Sequence, residues 1–524
     1  MRLKKTRTFD IPFVIFSILI ALFGAIIGMQ LITTLGITPN TSIIGALVAM
    51  LIARIPMQMF YKYRSLESQN LIQTTISAAT FGAANSLLIP VGLPYVMGLP
   101  ELIIPMLIGA GIALFVDVFV LYKVFDSKLF SASETWPSGV ATAEAIKAGD
   151  QGGAKAKYLG LGIAGGMVGS HFGISMSAFG VAFIGNIWAL TMFGIGLLLR
   201  GYSTQLFGVD LNNYYIPHGM MIGAGLVGIL QFIYTLWKSK SEKAAGNTAA
   251  DSMQTRSDQD VKKGFGLGYV LYVLGAFVVA IIGGIIGDMS VFQIILFVLF
   301  AAFAALVSEI IVGIAAMHSG WFPAFAVTLI SLLLGMMLGF PPVALALLVG
   351  YTAATGPAFA DLGFDFKAGF ILREGATPAQ ELYGRRMQLK SSLIGFGVAI
   401  VMVGLFANHF FEQDLIPPVD KVYATTIESG LSGNVGMLLL LWAIPGAIIQ
   451  LIGGPKRQMG ILLATGLLII NPIAGWAVIA GIIIRAVILK VKGPEAENAM
   501  FTTAAGFIAG DAIYSFFSSI WKAR

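Results

Sequence analysis

The chain has 524 residues, 57% of them hydrophobic and 11% charged, with a net charge of +6 and a mean hydropathy of +0.86. Soluble domains carry roughly 25% charged residues, so most of this chain must lie away from water and a soluble fold is excluded. Cysteine is absent, which removes disulfides, thiolate metal sites and thiol nucleophiles.

Apolar runs recur from Ile11 to Phe517, each about 20 residues and so long enough to cross a ~30 Å hydrocarbon core as a helix. They predict an all-α polytopic membrane protein, because a barrel would show short alternating strands. The basic MRLKKTR precedes a first run, Ile11 to Leu35, too long for a signal-peptide core and without a small-residue cleavage site. It is expected to remain as a first helix with a cytoplasmic N-terminus. Lys and Arg gather beside the spans, as the positive-inside rule requires, and not in a nucleic-acid-binding patch.

Four apolar spans lead to a polar interruption, Ser131 to Lys157. Within it, TWPSGVATAEAIKAG (Thr135 to Gly149) predicts a short helix. Pro137 suits the first turn, AEAIKA is built from strong helix formers, and Gly149 is placed to end it. At ~12 residues and ~18 Å such a helix is too short to cross. It lies at the surface, or enters the membrane and turns back. Re-entrant backbone is tolerated only when buried in protein or lining a cavity. There a helix N-terminus offers free N–H groups to an anion.

A polar linker, Lys238 to Gly264, carries six basic residues and is predicted to be cytoplasmic and disordered. It separates a first repeat, residues 1–237, from a second, 265–524. LFGAIIGM (Leu22 to Met29) is similar to IIGGIIGD (Ile281 to Asp288), and each half continues with apolar spans and a polar interruption. In the second half that interruption runs from Asp361 to Lys390, with ADLGFDFKAGFI (Ala360 to Ile371) at the place matching TWPSG. The signs of the loops give about eight crossings after the linker. Before it about seven are clear, so one is hidden between Ser131 and Trp237. The expectation is about 16 transmembrane helices in two related halves, each with a short re-entrant or broken helical segment. Halves that both start and end inside are parallel repeats.

Three segments carry a resemblance to a known family: WPSGVATA (Trp136 to Ala143), ADLGFDFKAG (Ala360 to Gly369) and AAGFIAGDA (Ala504 to Ala512). In this order they resemble the oligopeptide transporter family, most closely a prokaryotic-type member of its yellow-stripe-like branch. Trp136, Val140 and Ala368 depart from its usual Tyr/Phe, Thr and Thr. GMMIGAG (Gly219 to Gly225) stands where a Cys and a Pro are usual. The resemblance implies secondary active transport, usually proton-coupled symport of small peptides or amino-acid-derived metal chelates. The proton gradient would be the driving force, with no cofactor, at the cell membrane. Such zwitterions suit Ser138 and Gly139 at one segment, and Lys367 and Gly369 at the other.

Further candidates are weighed against plainer roles. Thr142 and Glu144 belong to the first segment, and Glu144 also stands three residues before Lys147, the spacing of a simple intrahelical pair. Asp365 sits beside Lys367 and is a substrate-binding candidate or part of an exposed charged loop. Tyr214, Tyr215 and His218 in NNYYIPHGMM face a cavity or form an interfacial belt. Asp511 and Glu309 stand within apolar spans, where a charge costs about 2.5–3.5 kcal/mol. They are the proton-coupling candidates, or are permanently hydrogen-bonded to a neighbouring helix. His171, His218, His318 and His409 are too scattered for a metal motif. GxSxG, HExxH and the phosphate-loop motif are absent, which disfavours a membrane enzyme or an ATP-driven pump. A passive channel remains the alternative transport class. A small-molecule substrate and the lipid bilayer are the implied partners, and homo-oligomers are compatible with the sequence.

Overall fold

The computed structural model describes residues 9–35, 41–56, 58–244, 254–320, 322–430 and 434–522. Among them the chain is helical throughout, with only an isolated bridge between Phe125 and Phe130 in place of a strand. The first group of helices is α1 (Ile11–Leu35), α2 (Thr41–Arg54), α3 (Leu66–Phe81), α4 (Ile89–Val96) and α5 (Ile103–Val124). A π-helical segment, Gly82–Leu88, joins α3 to α4. Next come α6 (Pro137–Gln151), α7 (Gly153–His171), α8 (Met176–Ile184), α9 (Ile187–Gly201), α10 (Ser203–Phe207) and α11 (Ile216–Ala244). Beyond residues 245–253 stand α12 (Asp258–Ile282), α13 (Val291–Ser319), α14 (Ala324–Met337), α15 (Pro342–Ala353), α16 (Pro357–Leu372) and α17 (Pro378–Glu412). The chain closes with α18 (Pro418–Ser429), α19 (Val435–Arg457), α20 (Met459–Leu468), α21 (Pro472–Lys492) and α22 (Glu497–Lys522).

Nine helical segments among the described residues are long and apolar enough to cross a membrane, and shorter apolar helices such as α2, α9, α14 and α20 lie between them. Their exposed faces carry large apolar side chains, for example Ile11, Phe23, Leu440, Ile452 and Val491. A soluble protein would not leave so much apolar surface in water. Two segments, Leu66–Val96 and Pro342–Leu372, are each 31 residues long and almost wholly buried, so they form the centre of the molecule. The remaining helices wrap them: α1, α2 and α17 lie on α3, while α6 and α13 lie on α16. At the outer edge α7 runs along α22, and α11 along α19. The first of these contacts is close because Gly162 and Gly166 meet Gly506 and Gly510 backbone to backbone, the small-residue packing that replaces hydrophobic attraction inside lipid.

Several expectations are corrected. ADLGFDFKAGFI is not a polar interruption: it lies in α16, within a continuous candidate span, and Asp361, Asp365 and Lys367 are buried. α6, which begins within TWPSG, packs directly against α16. IIGGIIGD is not a mid-span counterpart of LFGAIIGM either. Gly24 and Gly28 fit against Thr80 in the middle of α1, whereas Gly284, with φ +77, begins the turn after α12. The polar linker is shorter than predicted, because α11 extends to Ala244 and α12 starts at Asp258. Residues 245–253, on which its predicted disorder partly falls, lie outside the described residues. α6 ends at Gln151, with Gly152 at φ 68 closing it, instead of at Gly149.

Candidate functional site

The segment Ser131–Trp136 connects α5 to α6 without being a helix, so its backbone groups need partners. They find them at the end of α13. The Trp136 N–H donates to the Met317 carbonyl at 2.7 Å, and the Thr135 hydroxyl reaches the same oxygen at 2.7 Å. Trp136 takes a left-handed conformation (φ 38) and is fully buried, with its indole N–H on the Ser131 carbonyl at 3.0 Å. Such a conformation in a bulky residue costs of order 1–3 kcal/mol and persists only where surroundings enforce it. Here packing against Phe125, Phe130 and Phe364 does so.

Further helix interruptions converge on this crossing. Asn186, at the joint of α8 and α9, donates its backbone N–H to the His318 carbonyl at 3.1 Å and its amide to the Lys456 carbonyl at 3.1 Å. Lys456 belongs to the bend between α19 and α20, where Gly454 leaves the helical conformation (φ 70). From α16, the Lys367 ammonium donates to the carbonyls of Ala132 (2.7 Å) and Glu134 (2.9 Å). The Glu134 carboxylate is 39% exposed and lies 3.9 Å from the buried His318 ring. Burial holds the Glu134 carboxyl above the usual carboxylate range, and Lys367 and Lys456 oppose that shift. Ser133, Glu134, Asn186 and Lys456 reach the surface, with Lys367 and His318 enclosed behind them. Irregular backbone of this kind inside a membrane protein is tolerated where it is buried in protein or lines a water-filled cavity. The arrangement sets an accessible carboxylate beside two cations, which suits a ligand carrying both charges.

The residues anticipated from the sequence are distributed as follows. Ser138 (2% exposed) and Gly139 are enclosed in the first turn of α6 and not at the molecular surface. Gly139 is needed for contact, because a Cβ there would fall 2.7 Å from Lys367 Cβ and closer still to the Phe364 carbonyl. Thr142 turns its hydroxyl to the Ser138 carbonyl at 2.8 Å. Glu144 accepts from Thr502 of α22 at 3.1 Å and pairs with Lys147 at 3.8 Å, the plain intrahelical pair. Gly369 makes room for Gln388 and Arg373 of the α16–α17 corner. Tyr214 is exposed, and Tyr215 lines a different cleft with Leu333, Lys421, Thr425 and Thr426. His218 is buried beneath Tyr215, their rings 5.9 Å apart.

Asp511 is hydrogen-bonded by the Ser170 hydroxyl (2.5 Å) and the Ser177 backbone N–H (2.8 Å), joining α22 to α7 and to the first turn of α8. Glu309 is fully buried and accepts from Tyr272 at 2.7 Å, while its other oxygen has no donor. Asp117, within reach of Glu309, caps α16 by accepting from the N–H groups of Gly356 (3.0 Å) and Phe359 (2.7 Å).

Asp365 is not an exposed loop residue. It faces away from the crossing, into a polar seam formed with Ser42 of α2 and Gln73 of α3. Sequence reasoning missed that seam, although α3 carries an unusual number of polar residues for a candidate span, with Gln69, Gln73 and Ser77 recurring every fourth residue on one face. It did not single out Asp420 either. Asp420 is fully buried on α18 against Gly92 of α4, with no donor on either oxygen, and burial pushes its carboxyl well above the usual range.

The family model described as OPT oligopeptide transporter protein matches residues 11–214 and 171–522. The chain belongs to the oligopeptide transporter family. No curated protein matches it. Members of the oligopeptide transporter family are multi-pass membrane transporters and not enzymes. Its place there agrees with the apolar outer faces and the buried, interrupted central helices.

Proposed function

We propose that this oligopeptide transporter is a proton-coupled symporter that carries small peptides, or metal chelates built from amino acids, into the cell. The observation that carries the reading is the convergence of segment 131–136, the end of α13, the α8–α9 joint and the α19–α20 bend around Glu134, Lys367 and Lys456. A peptide or amino-acid chelate presents an amine and a carboxylate together. Glu134 receives the amine and the exposed Lys456 receives the carboxylate, with Lys367 holding the segment in place and Ser138 and Gly139 supporting the wall behind it. Of the two carboxylates that the sequence singles out for coupling, Glu309 is fully enclosed, accepts from Tyr272 and has one oxygen without a donor. Asp511 has the surroundings of a helix cap.

The two halves work as structural repeats, α1–α11 and α13–α22, with α12 outside the match. This pairing is supported by the equal lengths of Leu66–Val96 and Pro342–Leu372. It is also supported by α6 and α18, each of which starts at Pro, with Ile nine residues on and Gly twelve residues on. α6 packs on α16, and α18 packs in the same manner on α4. One unmatched crossing between the halves makes the repeats inverted instead of parallel, and rocking of one against the other gives alternating access.

Purified protein in proteoliposomes tests the reading. Saturable uptake of a labelled dipeptide such as alanyl-alanine, accelerated by an inward proton gradient, is expected. Uptake that neither saturates nor responds to the gradient favours a channel and refutes symport.

A further inference from the structure

We propose that Asp365, paired with Asp361 in the seam between α16, α2 and α3, holds the proton exchanged in each transport cycle. The proposal rests on the proton-coupled reading above and assigns its site. Asp361 and Asp365 are 2% and 0% exposed and stand one helical turn apart on α16. Asp361 is surrounded by donors: the hydroxyls of Ser77 (2.8 Å to Oδ1, 3.0 Å to Oδ2), Thr41 (3.1 Å) and, more distantly, Ser42 (3.4 Å). Asp365 receives Ser42 at 2.8 Å and the Gln73 amide at 2.5 Å, both on Oδ1. Its Oδ2 is buried and has no donor.

The hydrogens are too few. Each hydroxyl has one proton to give, so Thr41, Ser77 and Ser42 supply three donors between two carboxylates, and Gln73 a fourth. No Lys or Arg among the described residues bonds to either aspartate. On the elements packed against α16, Asp117 of α5 caps its N-terminus beside Glu309 of α13. His318 of α13 faces Glu134, and Glu144 and Lys147 of α6 pair with each other. Arg385 of α17 is held by Glu381 and Asp126. Lys367 lies about 200° round the helix from Asp365 and is committed to Ala132 and Glu134.

Two adjacent carboxylates cannot both stay ionised in such an enclosure without a counter-charge. One proton on Oδ2 of Asp365 removes one charge and converts the bare acceptor into a donor, leaving Asp361 as the hydroxyl-stabilised anion. Loss of that proton to water leaves two anions in the seam, relieved when α16 withdraws from α3. Because Lys367 is on the opposite face of the same helix, that movement presses on segment 131–136, where substrate is proposed to bind. The coupling thus runs across one helix.

The test has two arms. Infrared spectra of wild type and Asp365→Asn in D2O at neutral pD read the protonated-carboxyl C=O stretch without need of a substrate. One band present in wild type and lost in Asp365→Asn is expected, and identical spectra overturn the assignment. If Asp365→Asn does not fold, Asp361→Asn reads the same proton, because the band must shift once the neighbouring anion is gone. No shift overturns the assignment as well. No band that depends on Asp365, together with thermal stabilisation by sodium chloride over choline chloride, replaces the proton by a sodium ion and also overturns it. In the second arm, proteoliposomes loaded with a pH-sensitive dye report proton entry driven by alanyl-alanine. Asp365→Asn is expected to lose that entry at least tenfold while still exchanging labelled alanyl-alanine detectably. Undiminished proton entry overturns the coupling role. If wild type moves neither dipeptide nor proton, the symport reading fails, and the infrared arm alone decides where the proton resides.

Discussion

Replacing Lys367 by Met keeps the length and apolar stem of the side chain but deletes its ammonium. In the native fold that ammonium makes two hydrogen bonds, to the carbonyls of Ala132 and Glu134. A hydrogen bond with a charged partner contributes about 1.5–3 kcal/mol net. Two would give about 3–6 kcal/mol to the closed state of segment 131–136. Relief of the buried charge offsets part of this, leaving a local loss of about 2–3 kcal/mol, or roughly 30- to 150-fold in an opening equilibrium. The reporter is the Trp136 amide, which is bonded to the Met317 carbonyl across the crossing. Hydrogen exchange of the full-length protein in detergent, read by mass spectrometry over peptides covering 131–140, should accelerate by that factor in Lys367→Met. Peptides from α7 and α22 should not change. Exchange at 131–140 within about threefold of wild type would mean that Lys367 does not hold the segment, and the link between α16 and the crossing would fall.

Gly139→Val forces a side chain onto the Phe364 carbonyl and Lys367; such overpacking costs about 1–3 kcal/mol, and dipeptide uptake should fall with a lowered unfolding temperature. Asp420→Asn removes a carboxyl that is neutral in the fold. Burial raises its folded pKa, so wild type binds the proton more tightly folded than unfolded, and loses stability as pH rises above about 4. The variant should therefore gain stability over wild type in thermal unfolding at pH 8, and the gap should close near pH 4; equal pH profiles would refute the neutral assignment. Asp511→Ala removes the acceptor for Ser170 and the Ser177 N–H; the loss of such a cap costs about 1 kcal/mol. Asp511→Asn keeps one acceptor and should recover much of that stability. An Asn variant that is stable yet wholly uncoupled would instead return Asp511 to the proton path.

Legibility of the sequence depended on what each residue's role required. The spans were legible because crossing lipid demands an apolar length that no tertiary contact can supply, and α6 because Pro137 and the helix formers after it act locally. Its end was misplaced by two residues, since Gly149 packs on Met50 within the helix while Gly152 supplies the positive φ. The charged run of ADLGFDFK was misread as a polar interruption between spans. Its burial depends on Thr41, Ser42, Gln73 and Ser77, some 280 to 320 residues away in the chain. Asp420 was not legible for a similar reason, because nothing near it in sequence announces the glycine of α4 that admits it.

The sequence by itself determined that this chain is a helical membrane protein, that a polar, Pro-started helix interrupts its spans, and which family its motifs resemble. Those properties follow from composition and local patterning, which every short stretch carries within itself. Only the tertiary structure decided which charges meet. It placed Lys367 against Glu134's backbone, Asp365 against α2 and α3, and Asp511 at the start of α8. A buried charge is tolerated only beside its partners, and here those partners come from distant turns of the chain.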